Sequence, residues 1–367
     1  MAILKVDTIS GIGTEGSVFE GDIEFTGQEF LTLPKGNTTQ RGGAKGFFVG
    51  GQDTSNANTK IVDFINIESS GNAVKFGDLT TATRMTGATA SDTRLLSVGG
   101  YTSSTVDTIE FFTIATQSNA TDFGNLHSAR YGVGCLSNNT RGVLAAGNPY
   151  TNTIDFVTIA TTGNASDFGD LLNFNPSFPA TCSSSTRGII AGGEGPAPYP
   201  YFDNIEFVTI ASTGNGTDFG NLLAANFSLG GGSSPTRGVF GGGAAPSAVN
   251  VIQFITIAST GDATDFGDLT LARSYVAGCS SHIRGVFGGG NTPSNVNNID
   301  FVTITTTGNA SDFGDLIEGR ESLRASSNSH GGIILWQNNQ FQQEQSDLIL
   351  TVVRWKYILA THGCRSL

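Results

Sequence analysis

The stretch RGVFGGGNTPSNVNNIDFVTITTTGNASDFGDL, Arg284 to Leu316, reads as three short strands separated by turns. A hydrophobic run ends in a glycine pair that supplies the backbone freedom of a turn. The following NIDFVTIT alternates, with Ile, Phe and Thr on one side of the pleat and Asp, Val and Ile on the other. Both sides are largely apolar, as expected of a sheet held between two others. Ahead of this stretch, RSYVAGCSS from Arg273 supplies a fourth strand. We name the four A (RSYVAGCSS), B (RGVFGGG), C (NIDFVTIT) and D (SDFGDL).

The unit recurs along the chain. Strand B begins at Lys45, Arg94, Arg141, Arg187, Arg237 and Arg284, at intervals of 49, 47, 46, 50 and 47 residues. An Ile-x-Phe-hydrophobic-Thr-Ile phrase follows at Ile109, Ile154, Ile205, Ile252 and Ile299, with Val62 to Ile67 as the first copy. Four strands per unit at this period predict an all-β fold, a β-propeller. The first copy, from Ala44, has B, C and D but no A ahead of them. The last copy ends with a spare A at Arg320 to Ser329, which predicts six blades closed by both ends of the repeat region. Seven blades, using GGIILWQ at 331–337, is the alternative.

The Asp-Phe-Gly tripeptide appears at Asp122, Asp167, Asp218, Asp265 and Asp312, with Lys75-Phe76-Gly77 as a variant copy. A protein-kinase reading requires a glycine-rich phosphate loop, a strand lysine and a His-Arg-Asp loop, and the chain has none of these. Repetition makes the tripeptide structural. Its Phe is expected between adjacent sheets, and the Asp and Asn of the phrase are expected to hold the C–D turn. The repeated Arg of strand B likewise suits a structural hydrogen-bonding role, and Arg84, Arg130, Arg273 and Arg320 open the stretch after strand D.

Charged residues make up 14% of the 367, with a formal net charge of −12. Lacking a basic stripe, the chain is a poor partner for nucleic acid. The longest apolar run, 348–359, is broken by Arg354 and Lys356 and is too short to span a bilayer, so no membrane insertion is expected. No basic-then-apolar leader opens the chain, so the Asn119, Asn164, Asn215 and Asn309 glycosylation phrases read as turn chemistry. Of four cysteines, Cys135, Cys182 and Cys279 fall near one place in successive copies, too far apart for disulfides, and read as small buried residues. No Cys-x-x-Cys spacing exists. Asp262, Asp265 and Asp268 suggest calcium, but five of the six copies carry Asn at the first place. His127, His282, His330 and His362 are scattered, and His282 and His330 read as solvated A–B turn residues. No metal or cofactor is expected.

The Arg of strand B, the double Gly, the hydrophobic strand after it and the aromatic of strand D resemble kelch repeats over residues 44–330. Kelch has Trp where Phe123, Phe168, Phe219, Phe266 and Phe313 stand here. Such propellers include copper oxidases and sialidase-type enzymes, whose central His/Tyr cluster or Arg cluster with a Tyr nucleophile this sequence does not suggest. Residues 1–43 lie outside the repeat. AILKVDTISGIGTEG and LPKGNTTQRG within them resemble openings of tail fibres and related virion proteins of tailed, notably marine, bacteriophages, and repeats such as IDFVTIATTGNASDFGDL are similar to those of marine phage structural proteins. The resemblance implies a non-enzymatic virion protein. Residues 1–43 would be an attachment arm to other virion proteins, 44–337 the displayed propeller, and 338–367 a tail of unassigned role. It would act in adhesion to a host-surface glycan or protein, as a homo-oligomer in the particle. A capsid decoration protein and a carbohydrate-active enzyme on the same fold are the alternatives.

In a four-stranded meander the B–C and D–A connections share one end of the blade, and A–B and C–D share the other. The C–D turns are nearly identical between copies, whereas the B–C loops differ and carry Tyr101, Tyr150, Tyr199, Tyr201 and Phe202. Two D–A connections add Phe174, Phe178 and Phe227. Variation on a repeated frame places the candidate ligand contacts at these rings. Their alternative role is to cover the core or to pack between subunits.

Overall fold

The computed structural model describes residues 44–172 and 175–333. Six four-stranded antiparallel sheets form a ring, a six-bladed β-propeller, and no helix occurs among the described residues. In the order A, B, C, D, blade 2 comprises Gly87–Ala90, Arg94–Tyr101, Thr105–Thr113 and Thr121–Asn125. Blade 3 comprises Gly134–Ser137, Arg141–Ala145, Thr153–Thr158 and Ser166–Asp170, and blade 4 Ala180–Ser183, Arg187–Ala191, Asn204–Thr209 and Thr217–Asn221. Blade 5 comprises Gly230–Ser233, Arg237–Gly241, Val251–Thr256 and Thr264–Asp268, and blade 6 Ala277–Ser280, Arg284–Gly288, Asn298–Thr303 and Ser311–Asp315. Blade 1 takes its A strand, Arg324–Ser327, from the far end of the repeat region and pairs it with Lys45–Val49, followed by Ile61–Asn66 and Val74–Asp78. The ring closes as the spare A strand predicts. The arm (1–43), residues 334–337 and the tail (338–367) lie outside the described residues.

Strand C is apolar on both faces because each sheet packs against two neighbours. Six buried clusters form, one at each blade–blade interface. Between blades 2 and 3, for example, Leu96, Ile109 and Phe123 meet Val133, Leu144 and Val157. The Phe of Asp-Phe-Gly thus fills the gap between sheets. Its strand also carries a bulge: Glu110 pairs with Asp122 and Ile109 with Gly124, leaving Phe123 as the extra residue. The same register shift recurs at Val62/Asp63, Ile154/Asp155, Ile205/Glu206, Ile252/Gln253 and Ile299/Asp300. Such a bulge re-aims side chains on both strands.

The glycine after that Phe answers a close approach. Gly124 has φ 148°, and a Cβ there would collide with the Gly163 carbonyl oxygen of the next blade. The C–D turn of each blade in fact zips onto the D strand of the blade before it. Gly163 N–H donates to Phe123 O (2.7 Å) and Ala165 N–H to Asn125 O (2.8 Å). Asn164 Oδ1 then accepts from Asn125 N–H (3.1 Å). Asn72, Asn119, Asn215, Asp262 and Asn309 do the same around the ring. The expectation that these residues hold their own turn is therefore corrected: they clasp the neighbouring blade.

A second set of contacts crosses each interface. The strand B arginine of one blade donates to the carbonyl just past strand C of the next, as Arg94 Nη1 does to Ile159 O (3.0 Å) and Arg284 to Ile67 O (3.2 Å). Its guanidinium lies over the C-strand Phe of its own blade, 4.3 Å from the ring centre for Arg141 on Phe156. Lys45 stands in for the arginine in blade 1, reaching Ile114 O.

Two alignments made on the sequence shift by one place. Cys182 and Cys279 face the residue two after the strand B arginine, whereas Cys135 faces Leu144, the residue three after it, and so lies on the opposite side of the pleat. All three thiols are free and buried, and burial raises their pKa, to about 12 for Cys135 and Cys279. Arg84 does not match Arg130, Arg273 and Arg320. Counted back from strand A, Thr83 holds their position.

Candidate binding face at the channel mouth

The antiparallel pairing places the B–C and D–A connections at one end of the ring. What positions the D–A connections is a buried ion pair in three blades. Arg130 Nη2 lies 2.7 Å from Asp155 Oδ2, Arg273 Nη2 3.0 Å from Asp300 Oδ2, and Arg320 Nη2 2.5 Å from Asp63 Oδ2. Each joins the connection before strand A to the bulge position of strand C. The three blades without the arginine carry Glu110, Glu206 or Gln253 there, one methylene longer than Asp. These side chains reach the backbone of the connection directly, Glu206 Oε2 accepting from Leu172 N–H (2.9 Å) and Gln253 Oε1 from Leu223 N–H (2.8 Å). Either way the bulge side chain pins the connection.

The residue before the last turn into strand A has positive φ in all six blades: Met85, Gly132, Phe178, Ser228, Tyr275 and Ser322. Successive backbone bonds link these positions around the axis, from Met85 N–H to Ser322 O (2.7 Å), Gly132 N–H to Met85 O (2.7 Å) and Phe178 N–H to Gly132 O (2.9 Å). On this rim sits an aromatic cluster of Phe178 and Phe227 with Tyr131, Tyr201, Tyr275 and Met85. Tyr201 stacks on Phe227 at 4.7 Å, and Tyr275 meets Phe178 and Phe227 edge-on at 5.7 Å. Tyr101 joins through Tyr131 (5.8 Å), and Arg84 lies over Tyr101 (5.2 Å). Burial raises the Tyr275 hydroxyl to about 12.

Below the cluster the six A strands line a channel enclosing about 60 Å³. Arg324 stands on strand A where the other blades have Gly or Ala, and its guanidinium lies 5.7 Å from the Phe178 ring of blade 4. Burial lowers its pKa to about 10, and its Nη2 has no hydrogen-bond partner among the described residues. At the far end a serine chain runs around the axis. Ser137, Ser183, Ser233, Ser280 and Ser327 each donate their hydroxyl to the carbonyl of the preceding blade's matching residue, Ala90, Ser137, Ser183, Ser233 and Ser280, at 2.5–2.9 Å. The sixth position is Ala90, and His330 occupies the gap: its Nε2 is 3.3 Å from Ala90 O and 3.2 Å from Ser137 Oγ. Gly331 N–H donates to Ser233 O, so the chain crosses the channel here and plugs it. Burial lowers the His330 pKa to about 4. His330 is thus no solvated turn residue. His282 lies beside it, its Nε2 3.0 Å from Ile333 O.

Of the rings singled out by sequence, Tyr101, Tyr201, Phe178 and Phe227 come together on this face, the two Phe at 7% exposure. Those two support the surface from below. Tyr199 is 58% exposed beside them in sequence, on the long B–C loop of blade 4. Tyr150 donates to Glu194 Oε1 (3.0 Å), and both burial and that bond raise its pKa. Phe202 packs instead against the cluster between blades 3 and 4. Phe174 lies outside the described residues. Sequence reasoning missed Tyr131, Tyr275 and Met85, and also the exposed aliphatics Leu172, Leu223 and Ile317 (49–53%) that follow strand D. The signal was present: Met85 and Tyr275 stand two residues before strand A, Tyr131 one place earlier, and the three aliphatics two residues after strand D.

Among the described residues no three His, Cys, Asp or Glu side chains converge as a metal site. Comparison with models of known protein families and with curated protein sequences finds no match.

Proposed function

We propose that this propeller is a non-enzymatic binding module displayed on a phage particle. The observation that carries the binding half is the contrast across the ring. One end repeats a single clasp, while the other exposes Tyr199, Leu172, Leu223 and Ile317 on its varied connections and carries a packed aromatic cluster at the channel mouth. Rigid rings and aliphatics on a braced frame suit the face of a sugar or the apolar patch of a protein. A propeller fold by itself serves enzymes and scaffolds alike, so the face, not the fold, supports this reading.

The particle half rests on the resemblance of residues 1–43 to tail-fibre openings. In this reading those residues attach the protein to other virion proteins, and copies assemble there as homo-oligomers. Deletion of residues 2–41 tests it: the truncated protein is expected to fold and to be missing from purified virions, and its retention on particles would refute the arm. Immunogold labelling or cryo-EM separates a tail appendage from a capsid decoration.

A further inference from the structure

The three buried arginines define a cradle, and blade 2 has the cradle without the arginine. In blade 1, Arg320 donates to the carbonyls of Gly50 (2.9 Å) and Ile61 (3.0 Å) and pairs with Asp63. In blade 3, Arg130 donates to Leu144 O (3.1 Å) and pairs with Asp155; in blade 6, Arg273 donates to Phe287 O (3.1 Å) and pairs with Asp300. Counting along strands B and C, the matching residues of blade 2 are Gly99, Thr108, Ser97 and Glu110. Thr83 stands where the arginine would be. All five line a single cavity of about 150 Å³. That is roughly ten times the ~10–15 Å³ that admits one water.

The cavity runs from solvent to a buried carboxylate. Thr80 and Thr81 at its rim are exposed, while Glu110, Thr83 and Ser97 are 8%, 7% and 4% exposed. Glu110 Oε1 accepts from the Thr80 N–H and hydroxyl. Thr270 makes the same two bonds to Asp300, which still pairs with Arg273, so these bonds leave room for a cation. Burial, and to a lesser degree the Asp122 carboxylate, raises the Glu110 pKa, and a neighbouring cation would draw it down again.

We propose that the blade 2 cavity is a receptor site for a guanidinium group brought by a ligand, with Glu110 as its counter-ion. The carbonyls of Ser97, Gly99 and Thr108 offer the acceptors that the other blades give their own arginines. A planar fork of N–H donors fits that set, whereas an ammonium places its charge at one point. The donor is an arginine side chain of a partner protein or a small guanidinium compound, and the net charge of −12 favours either encounter. The site stands independently of whether the aromatic face binds a host surface.

The test titrates the full-length protein with methylguanidinium, methylammonium and a short arginine-containing peptide, followed by NMR or calorimetry. Methylguanidinium is expected to bind with Kd of roughly 1–10 mM, the range for so small a ligand, and more tightly than methylammonium. Glu110→Gln is expected to weaken it by about tenfold or more. The double variant Thr83→Arg with Glu110→Asp recreates the blade 3 pair, and is expected to abolish binding without lowering the melting temperature. A peptide that binds more tightly than methylguanidinium, with the same dependence on Glu110, identifies a partner side chain as the source; equal binding identifies a small molecule. No saturable binding, or binding that both variants retain, overturns the proposal.

Discussion

Where strand C turns into D, five copies of nearly one phrase and a worn sixth make closely similar contacts to the preceding blade: two backbone bonds (one in blade 2, where Ser118 replaces the glycine), an Asn or Asp clasp and a glycine pressed against a carbonyl. At the opposite end the B–C loops differ in length and composition, and the side chains of the D–A connections change from blade to blade. The frame there is nevertheless as regular, with its ring of positive-φ residues and its pinned connections. The difference teaches that the near-identity of the C–D phrases reflects a backbone–backbone approach that tolerates little change. On the other end the repeated contacts lie underneath, and the outward side chains are free to differ.

The largest effect is expected from the pair that closes the ring. Arg320→Ala leaves Asp63 buried without its cation, at a cost of about 3–5 kcal/mol, read from denaturant unfolding. A loss below about 1 kcal/mol would mean the closure is held by something else. Next is the clasped end itself. Gly124→Ala places a Cβ against Gly163 O at φ 148°, and is expected to cost about 1–3 kcal/mol. A neutral result would show that the seam yields.

The channel plug adds a pH dependence whose sign follows from His330. Its pKa in the fold, about 4, lies below the ordinary 6.5. The neutral form is therefore favoured in the fold. Its contribution is complete above pH 6.5 and is lost as pH falls from there towards 4, because the undocked chain takes up a proton that the docked chain excludes. The stability of the protein relative to His330→Gln is expected to fall over that window and to stay flat above it. A difference independent of pH would place His330 outside the ring of carbonyls. Smaller still, Tyr201→Ala removes a ring stacked on Phe227 and is expected to cost about 0.5–1.5 kcal/mol.

The six-blade closure was legible because the spacing of Lys45, Arg94 and their successors left one A strand over at Arg320–Ser329. The buried Phe of Asp-Phe-Gly was legible from period and polarity. What escaped sequence reasoning depends on what lies next to what. Asn164 sits in its own turn by number and serves the preceding blade in space. His330 aligns with A–B turn residues, but Gly331 after it bonds Ser233 O across the axis. The exchange between Arg with Asp and no Arg with Glu or Gln was on the page, at Asp63, Glu110, Asp155, Glu206, Gln253 and Asp300. Counting Arg84 in the wrong register concealed it. The candidate face was half legible: Tyr199 and Tyr201 stand out by composition, whereas Tyr131 and Tyr275 gain meaning only when the rim brings them together.

One measurement bears most directly on the claim that the variable end does the binding. Tyr199 and Ile283 are equally prominent, at 58% and 55% exposure, but Tyr199 lies at the B–C end and Ile283 in an A–B turn. Affinity of the full-length protein for host-cell envelopes should fall about 5- to 30-fold in Tyr199→Ala, equivalent to roughly 1–2 kcal/mol, with the melting temperature unchanged. Ile283→Ala should bind as the wild type does. Binding lost in Ile283→Ala and retained in Tyr199→Ala would contradict the account and move the binding surface to the clasped end of the ring.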